Sequence, residues 1–280
     1  DQSGGKIATA RDTAKEFVAT IPWLEGLQGT SFYAVGGAWR TLARIHMAQK
    51  DHAIRVLHQY VIKRGEAIEL AQLVASQSRK SLAQINAVPS RRVDTLPYSA
   101  VVLEALLKRT KFKDVVVSAY GLREGLLFES LPESVRRLDP LFEGCRELAR
   151  RLSRNPDLGA EIADWTDAIF SAHPDGETAE QRRLRRSVSW LSGIAWRANP
   201  DQRGQIAFRE VVYAPFGGVD HRQRLLLGLS VFRRYEGSVS PVLPGQWPPL
   251  QPEEERRAAT VGLALRLAVN LSGGASGVLP

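Results

Sequence analysis

The 280-residue sequence predicts an α/β unit followed by an all-α unit, with the change of texture close to residue 130. Two observations carry that reading. Up to about residue 127, short β-prone runs alternate with segments of helical periodicity, the pattern of an α/β layer. From Glu133 onward, apolar residues recur at helical spacing in almost every segment and no strand candidate intervenes. The length allows one or two domains of roughly 100 to 200 residues. Domains over 1–130 and 131–280 are therefore expected, each with its own core.

Taken in order, Ala8 to Ile21 reads as an amphipathic helix through Ala10, Ala14, Phe17 and Val18. Ser31 to Val35 is a short β-prone run that ends in Gly36-Gly37, and Ala38 to Ile45 has helix-forming composition. A second strand is predicted over Ile54 to Ile62, then a helix over Glu66 to Ser78 carried by Ile68, Leu70, Leu73 and Val74. Pro89 to Pro97 is turn-rich and holds Arg91 and Arg92. A helix from Tyr98 to Thr110 follows, then a buried-type strand over Asp114 to Ala119, Gly121, and a helix beginning near Arg123. In the second half, helices are predicted over Leu141–Leu152, Leu158–Phe170, Ala179–Arg197, Gln205–Ala214, His221–Tyr235 and Pro252–Leu271. Gly237 to Pro249, with Pro241, Pro244, Pro248 and Pro249, reads as a loop.

Composition bounds the chemistry. Hydrophobic residues at 44% and charged residues at 24% exclude a disordered or fibrous chain. A single cysteine, Cys145, excludes an internal disulfide and reads as a buried thiol, which leaves a cytoplasmic location as the expectation. No apolar run reaches the roughly 18 to 20 residues of a membrane span, so no membrane partner is expected. The net charge of +8 comes from 38 Lys plus Arg against 30 Asp plus Glu, and only 8 of the 38 are Lys. Guanidinium groups match phosphate oxygens bidentately, so the arginine excess points to a polyanion. A GC-rich coding bias would produce the same excess. Nucleic acid is an unlikely partner, since no recognition motif or aromatic platform is present.

Several residues could carry chemistry. The strand, Gly36-Gly37, helix arrangement suits an anion, because glycines let backbone N–H groups approach closely, a helix N-terminus is partially positive, and Arg40 lies one turn in. A plain tight connection would have the same sequence. Arg123, Glu124 and Gly125 follow a strand and Gly121, at the sheet edge where ligands bind in open α/β folds; a capping ion pair is the alternative. Arg91 and Arg92 could face phosphate or solvent. Arg146, Arg150, Arg151 and Arg154 share one predicted helix, and Arg182, Arg183, Arg185 and Arg186 another. The second set is the candidate polyanion groove, against a solvated face neutralised by Glu143, Glu147, Glu177 and Glu180. The five histidines, His46, His52, His58, His173 and His221, show no metal-ligand spacing, so no metal held by this chain is expected.

Three stretches resemble a known family. They are Tyr33-Ala34-Val35-Gly36-Gly37-Ala38-Trp39-Arg40-Thr41-Leu42-Ala43-Arg44, the segment from Ser90 to Ala100, and Ser118-Ala119-Tyr120-Gly121-Leu122-Arg123-Glu124-Gly125-Leu126-Leu127. Together they are similar to the Ppx/GppA phosphatases, the exopolyphosphatases and guanosine pentaphosphate phosphohydrolases. The segment from Arg183 to Gly204 and that around Ala264 to Ala268 resemble the family's helical HD-like domain. The resemblance implies the later part of an actin-like lobe, of the ASKHA and ribonuclease H-like type, followed by that helical domain. It also implies that Gly36 and Gly37 belong to the turn closing over phosphate. The family's catalytic glutamate and phosphate loops would lie upstream of Asp1, so no catalytic residue is expected here, and Mg²⁺ would be bound by ligands outside this chain. Met47 as the only methionine fits a chain cut from a longer one, itself expected to be inactive alone. Expected partners are inorganic polyphosphate or guanosine pentaphosphate, with a homodimer as the family's habit. One departure stands out: where HD hydrolases carry adjacent His-Asp, this chain has Ser192-Gly193 after Trp190-Leu191. The alternative reading is a regulatory module that binds polyphosphate or an alarmone without turnover.

Overall fold

The computed structural model describes residues 2–171, 176–237 and 245–279. His173, Pro241 and Pro244 lie outside the described residues. The chain divides into two compact units, residues 1–130 and 131–280.

The first unit contains α1 (Gln2–Ala19), β1 (Ser31–Val35), α2 (Gly37–Gln49), β2 (Tyr60–Lys63), α3 (Arg64–Ser76), α4 (Arg79–Ala83), α5 (Leu96–Thr110), β3 (Asp114–Ser118) and α6 (Leu122–Glu129). Its sheet has the order β1-β3-β2. β3 is central, and Val115, Val116 and Val117 are all buried, as expected of a strand covered on both faces. β1 runs parallel to β3, with Val35 opposite Ser118, so both strands end side by side. α3 and α5 pack together and α1 lies on α5; Leu70, Leu96, Leu103 and Leu107 join Val115 and Val117 in one core. Pro97 at the start of α5 suits the first helical turn, where its missing N–H costs nothing.

The strand expected over Ile54 to Ile62 is shorter. It is confined to Tyr60–Lys63 and runs antiparallel to β3. Gln59 has φ of 62°, a left-handed turn that breaks the extended run immediately before β2, while Ile54 is buried in irregular chain. The sheet is therefore mixed, with β2 on the edge.

The second unit is helical: α7 (Glu133–Arg136), α8 (Pro140–Leu152), α9 (Leu158–Ser171), α10 (Ala179–Ser189), α11 (Arg203–Tyr213), α12 (His221–Glu236) and α13 (Pro252–Ser272). Asp139 caps α8, and Thr178 and Asp220 cap α10 and α12 through their side chains. α12 packs against both α11 and α13. The approach is close because glycine permits it: a methyl on Gly262 would run into the Ser230 carbonyl, and one on Gly228 would lie 2.8 Å from Val212 Cγ2. Arg224, almost fully buried, donates to the carbonyls of Ala214 (2.6 Å) and Phe216 (2.7 Å) and so fastens the turn that follows α11.

The helix expected over Ala179 to Arg197 stops at Ser189 and tightens into a 3-10 turn over Trp190–Gly193. There α9 comes close: a methyl on Gly159 would sit 2.7 Å from Trp190 Cα. Among the described residues no helix is long and apolar enough to cross a membrane.

Candidate functional site

Parallel pairing of β1 and β3 brings two glycine turns together at the carboxyl ends of neighbouring strands, where ligands bind in open α/β sheets. The first turn is Gly36-Gly37. Gly36 has φ of 130° and ψ of 160°, a region open only to glycine. Gly37 begins α2, whose N-terminus has no side-chain cap. Its first N–H groups are therefore without intrahelical partners, at the positive end of the helix dipole. Arg92, on the 3-10 turn Ser90–Arg92, lies over this end, and a methyl on Gly37 would overlap its guanidinium.

The second turn runs from Ser118 to Gly121. Ser118 Oγ accepts from Tyr120 N–H at 3.1 Å and donates to Tyr120 O at 3.0 Å. Glu124 Oε2 accepts from Gly121 N–H at 2.6 Å, which holds its carboxyl below the ordinary glutamate range. This helix start is thus capped by its own carboxylate, unlike that of α2. Arg40 joins the turns: its Nε donates to Gly36 O at 3.4 Å and its Nη1 to Ala119 O at 3.2 Å.

Gly36, Gly37, Arg40, Arg92, Glu124 and Gly121 therefore share one edge of the sheet. Arg123 and Gly125 follow on the exposed α6, and Arg91 is exposed beside Arg92. The ring of His58 lies 4.6 Å from that of Tyr120, and its Nδ1 is 3.5 Å from Ala119 N. A lone histidine 61 residues from its partner in sequence carries no local signal.

The helical candidates behave differently. Arg185 is 2% exposed and donates to Glu177, Asp167 and Thr166, so it is a core residue and corrects the expectation of a groove-facing cation. Arg182 and Arg186 both pair with Asp167, and Arg186 also with Asp164. Arg183 is bonded to Asp139 through two nitrogens, at 2.5 and 2.8 Å. Burial opposes ionisation of Asp167, but the hydrogen bonds from Arg182 and Arg185 outweigh it and keep its carboxyl far below the usual range. Of the acids expected beside these arginines only Glu177 pairs with one of them; the others that do are Asp164, Asp167 and Asp139, which the sequence does not place there. Cys145 is fully buried, and burial pushes its thiol up, away from the reactive thiolate.

A cleft of about 260 Å³ opens at the N-terminal ends of α10, α12 and α13, lined by Leu184, Val188, Leu226 and Val261. Its charged groups are already paired, Arg222 with Glu254 and Arg257 with Glu177.

Two family profiles cover nearly all of the chain. The profile of the Ppx/GppA phosphatase family matches residues 4–134, and that of the exopolyphosphatase C-terminal domain matches residues 141–280, half of the sequence. The chain belongs to the Ppx/GppA phosphatase family. Among solved structures, the crystal structure of the Aquifex aeolicus member of the Ppx/GppA family is similar at 19% identity, over 41% of this chain and 38% of that one, with a TM-score of 0.35. The match thus spans well under half the length of that relative. No curated protein matches the chain.

The exopolyphosphatase C-terminal profile runs through Ser192-Gly193. Ser192 is buried there, and its carbonyl accepts from the Tyr235 hydroxyl at 3.1 Å. A magnesium ion, implied by the family, finds no fit in this chain: among the described residues no group of three or more His, Cys, Asp or Glu converges.

Proposed function

We propose that this chain supplies one phosphate-binding wall of a Ppx/GppA-type phosphoanhydride hydrolase, acting on inorganic polyphosphate or guanosine pentaphosphate. The observation that supports it most is the uncapped start of α2 at Gly36-Gly37, with the Arg92 guanidinium over it and Arg40 fixing the neighbouring turn. An oxyanion there would meet backbone donors and a guanidinium in one place. Gly36 and Gly37 let the backbone approach, Arg92 supplies charge, Arg40 positions the turns, and Glu124 holds the second turn in shape. Arg91 and Arg123 extend the positive rim. Hydrolysis itself would use a general base and Mg²⁺ from outside these residues, with water attacking the terminal phosphorus. An actin-like lobe and a dimer are parts of the same reading.

The test is phosphate release from long-chain polyphosphate and from guanosine pentaphosphate with Mg²⁺, by the natural protein that carries this sequence. Arg92→Ala should raise KM about tenfold or more, the loss of one or two charge-assisted hydrogen bonds. Gly37→Ala should act in the same direction, because its methyl displaces Arg92. Wild-type kinetics in both variants would remove this turn from substrate binding. Binding of either anion without release would favour the regulatory module, a reading that Ser192-Gly193 in place of His-Asp also supports.

A further inference from the structure

The sheet edge that carries the two glycine turns also carries an aromatic pair. β2 runs antiparallel to β3 and begins at Tyr60, opposite Val117, so the chain entering β2 passes the carboxyl end of β3. Gln59 N–H donates to the Val117 carbonyl at 2.8 Å and fixes that entry. His58, the residue before it, lies against Tyr120, with ring planes tilted by 60°. The pair therefore stands where β2 meets β3, and the Gly36-Gly37 turn stands beyond β3 at the end of β1. Two strand spacings, about 10 Å, separate the two flanking strands.

Tyr120 is held in place but not covered. Ser118 Oγ bonds both its N–H and its carbonyl, and the carbonyl before it, that of Ala119, takes the Arg40 guanidinium. His58 abuts its ring and, through Nδ1, accepts from Ala119 N–H. Tyr120 is nevertheless 47% exposed. The turn is made by Ser118, Gly121 and Glu124 through groups that need no aromatic neighbour. An aromatic side chain with two rotatable bonds on a fixed backbone loses little freedom when a flat partner covers it.

We infer that Tyr120, backed by His58, is the stacking surface for the purine of a nucleoside polyphosphate whose phosphates lie at Gly36-Gly37 and Arg92. This rests on the hydrolase reading and makes Tyr120 the residue that separates guanosine pentaphosphate from inorganic polyphosphate. The purine is what the first has and the second lacks. Its ribose would cross the end of β3, between the base on one side and the phosphate turn on the other. Polyphosphate would meet the same turn and leave Tyr120 bare. Stacking accepts any base, so this surface selects a nucleotide over a bare anion rather than guanine over adenine.

The natural protein that carries this sequence is assayed for phosphate release from guanosine pentaphosphate and from long-chain polyphosphate with Mg²⁺. It is also titrated without Mg²⁺ against guanosine pentaphosphate and against tripolyphosphate, an anion with no base. Tyr120→Ala should raise KM and Kd for guanosine pentaphosphate about tenfold with little change in kcat, and leave the values for both base-free anions as in wild type. Tyr120→Trp should restore the nucleotide affinity, because an indole stacks as well. A merely structural role would read differently: the Ala119 carbonyl anchors Arg40, so a disturbed turn would weaken polyphosphate too. Equal losses for the nucleotide and the base-free anions, or no loss for the nucleotide, would overturn the inference. So would a wild-type protein that binds guanosine pentaphosphate no better than tripolyphosphate. Arg92→Ala should weaken all of these anions; if it does while Tyr120→Ala does not discriminate, the phosphate turn stands and the stacking surface falls. Wild-type behaviour of Arg92→Ala removes the phosphate turn whatever Tyr120 does.

Discussion

The two arginine groups of the helical unit differ in what stands opposite them. Arg182, Arg185 and Arg186 project from α10 onto α9, where Asp164 and Asp167 meet them, and Glu177 seals Arg185 from the other side. Arg203, Arg234 and Arg266 come from three elements and meet carbonyls and an aromatic ring. The first group is dense in sequence and neutral in space. The second is scattered in sequence and makes no ion pair among the described residues. The arginine density of α10 therefore does not mark free positive charge, because the acids that cancel it come from α9 and from the residues before α10.

The largest effect that sharpens this contrast is expected from Glu177→Ala. It removes the carboxylate shared by Arg185 and Arg257 and leaves a buried guanidinium leaning on Asp167 alone. A loss of about 3 kcal/mol is expected, the cost of stripping one partner from a buried pair, and urea unfolding would measure it. A change under about 1 kcal/mol would mean that the first group is no more tightly bound into its core than a surface network.

Acid titration should separate the groups next. The Asp167 carboxyl lies lower in the folded state than in the unfolded chain, so the stability it lends is present above the unfolded value of about 4 and drains away as pH falls towards the folded value. Urea midpoints measured at successively lower pH should drop across that window in the wild type and drop less steeply in Asp167→Asn. The second group contains no carboxylate, so Arg266→Ala should leave the acid profile of the wild type unchanged. Equal slopes for wild type and Asp167→Asn would break the contrast.

The smallest effect belongs to single exposed members of the first group. Arg182 is more than half exposed, and Arg182→Ala should cost no more than about 1 kcal/mol in the same urea measurement. A larger loss would place Arg182 within the buried network around Arg185.

What the sequence makes legible follows the same division between local and distant. Ser31 to Val35 and Asp114 to Ser118 carry their own β-prone runs, and the glycines that end them mark both turns, so the sheet edge with Gly36, Gly37 and Arg123 to Gly125 is readable from neighbouring residues alone. The family's motifs lie on these same local patterns. β2 is less readable: Gln59 adopts a left-handed turn that no composition announces, and antiparallel pairing with β3 depends on contacts more than 50 residues apart. Arg92 over Gly37, Arg40 on Ala119, and His58 against Tyr120 are likewise products of folding. Short helices such as α4 and α7 leave too few residues for a period to show.

Glu161, on the first turn of α9, accepts from the backbone N–H groups of Gly277 (2.6 Å), Val278 (3.0 Å) and Leu279 (2.6 Å), and these bonds hold its carboxyl below the ordinary glutamate range. Three consecutive amides gathered on one carboxylate form a clasp between residues more than a hundred positions apart. Their deuterium uptake then reports a single event, the release of that clasp, and Glu161→Gln should speed exchange at all three amides together while the amides inside α12 keep their wild-type rates.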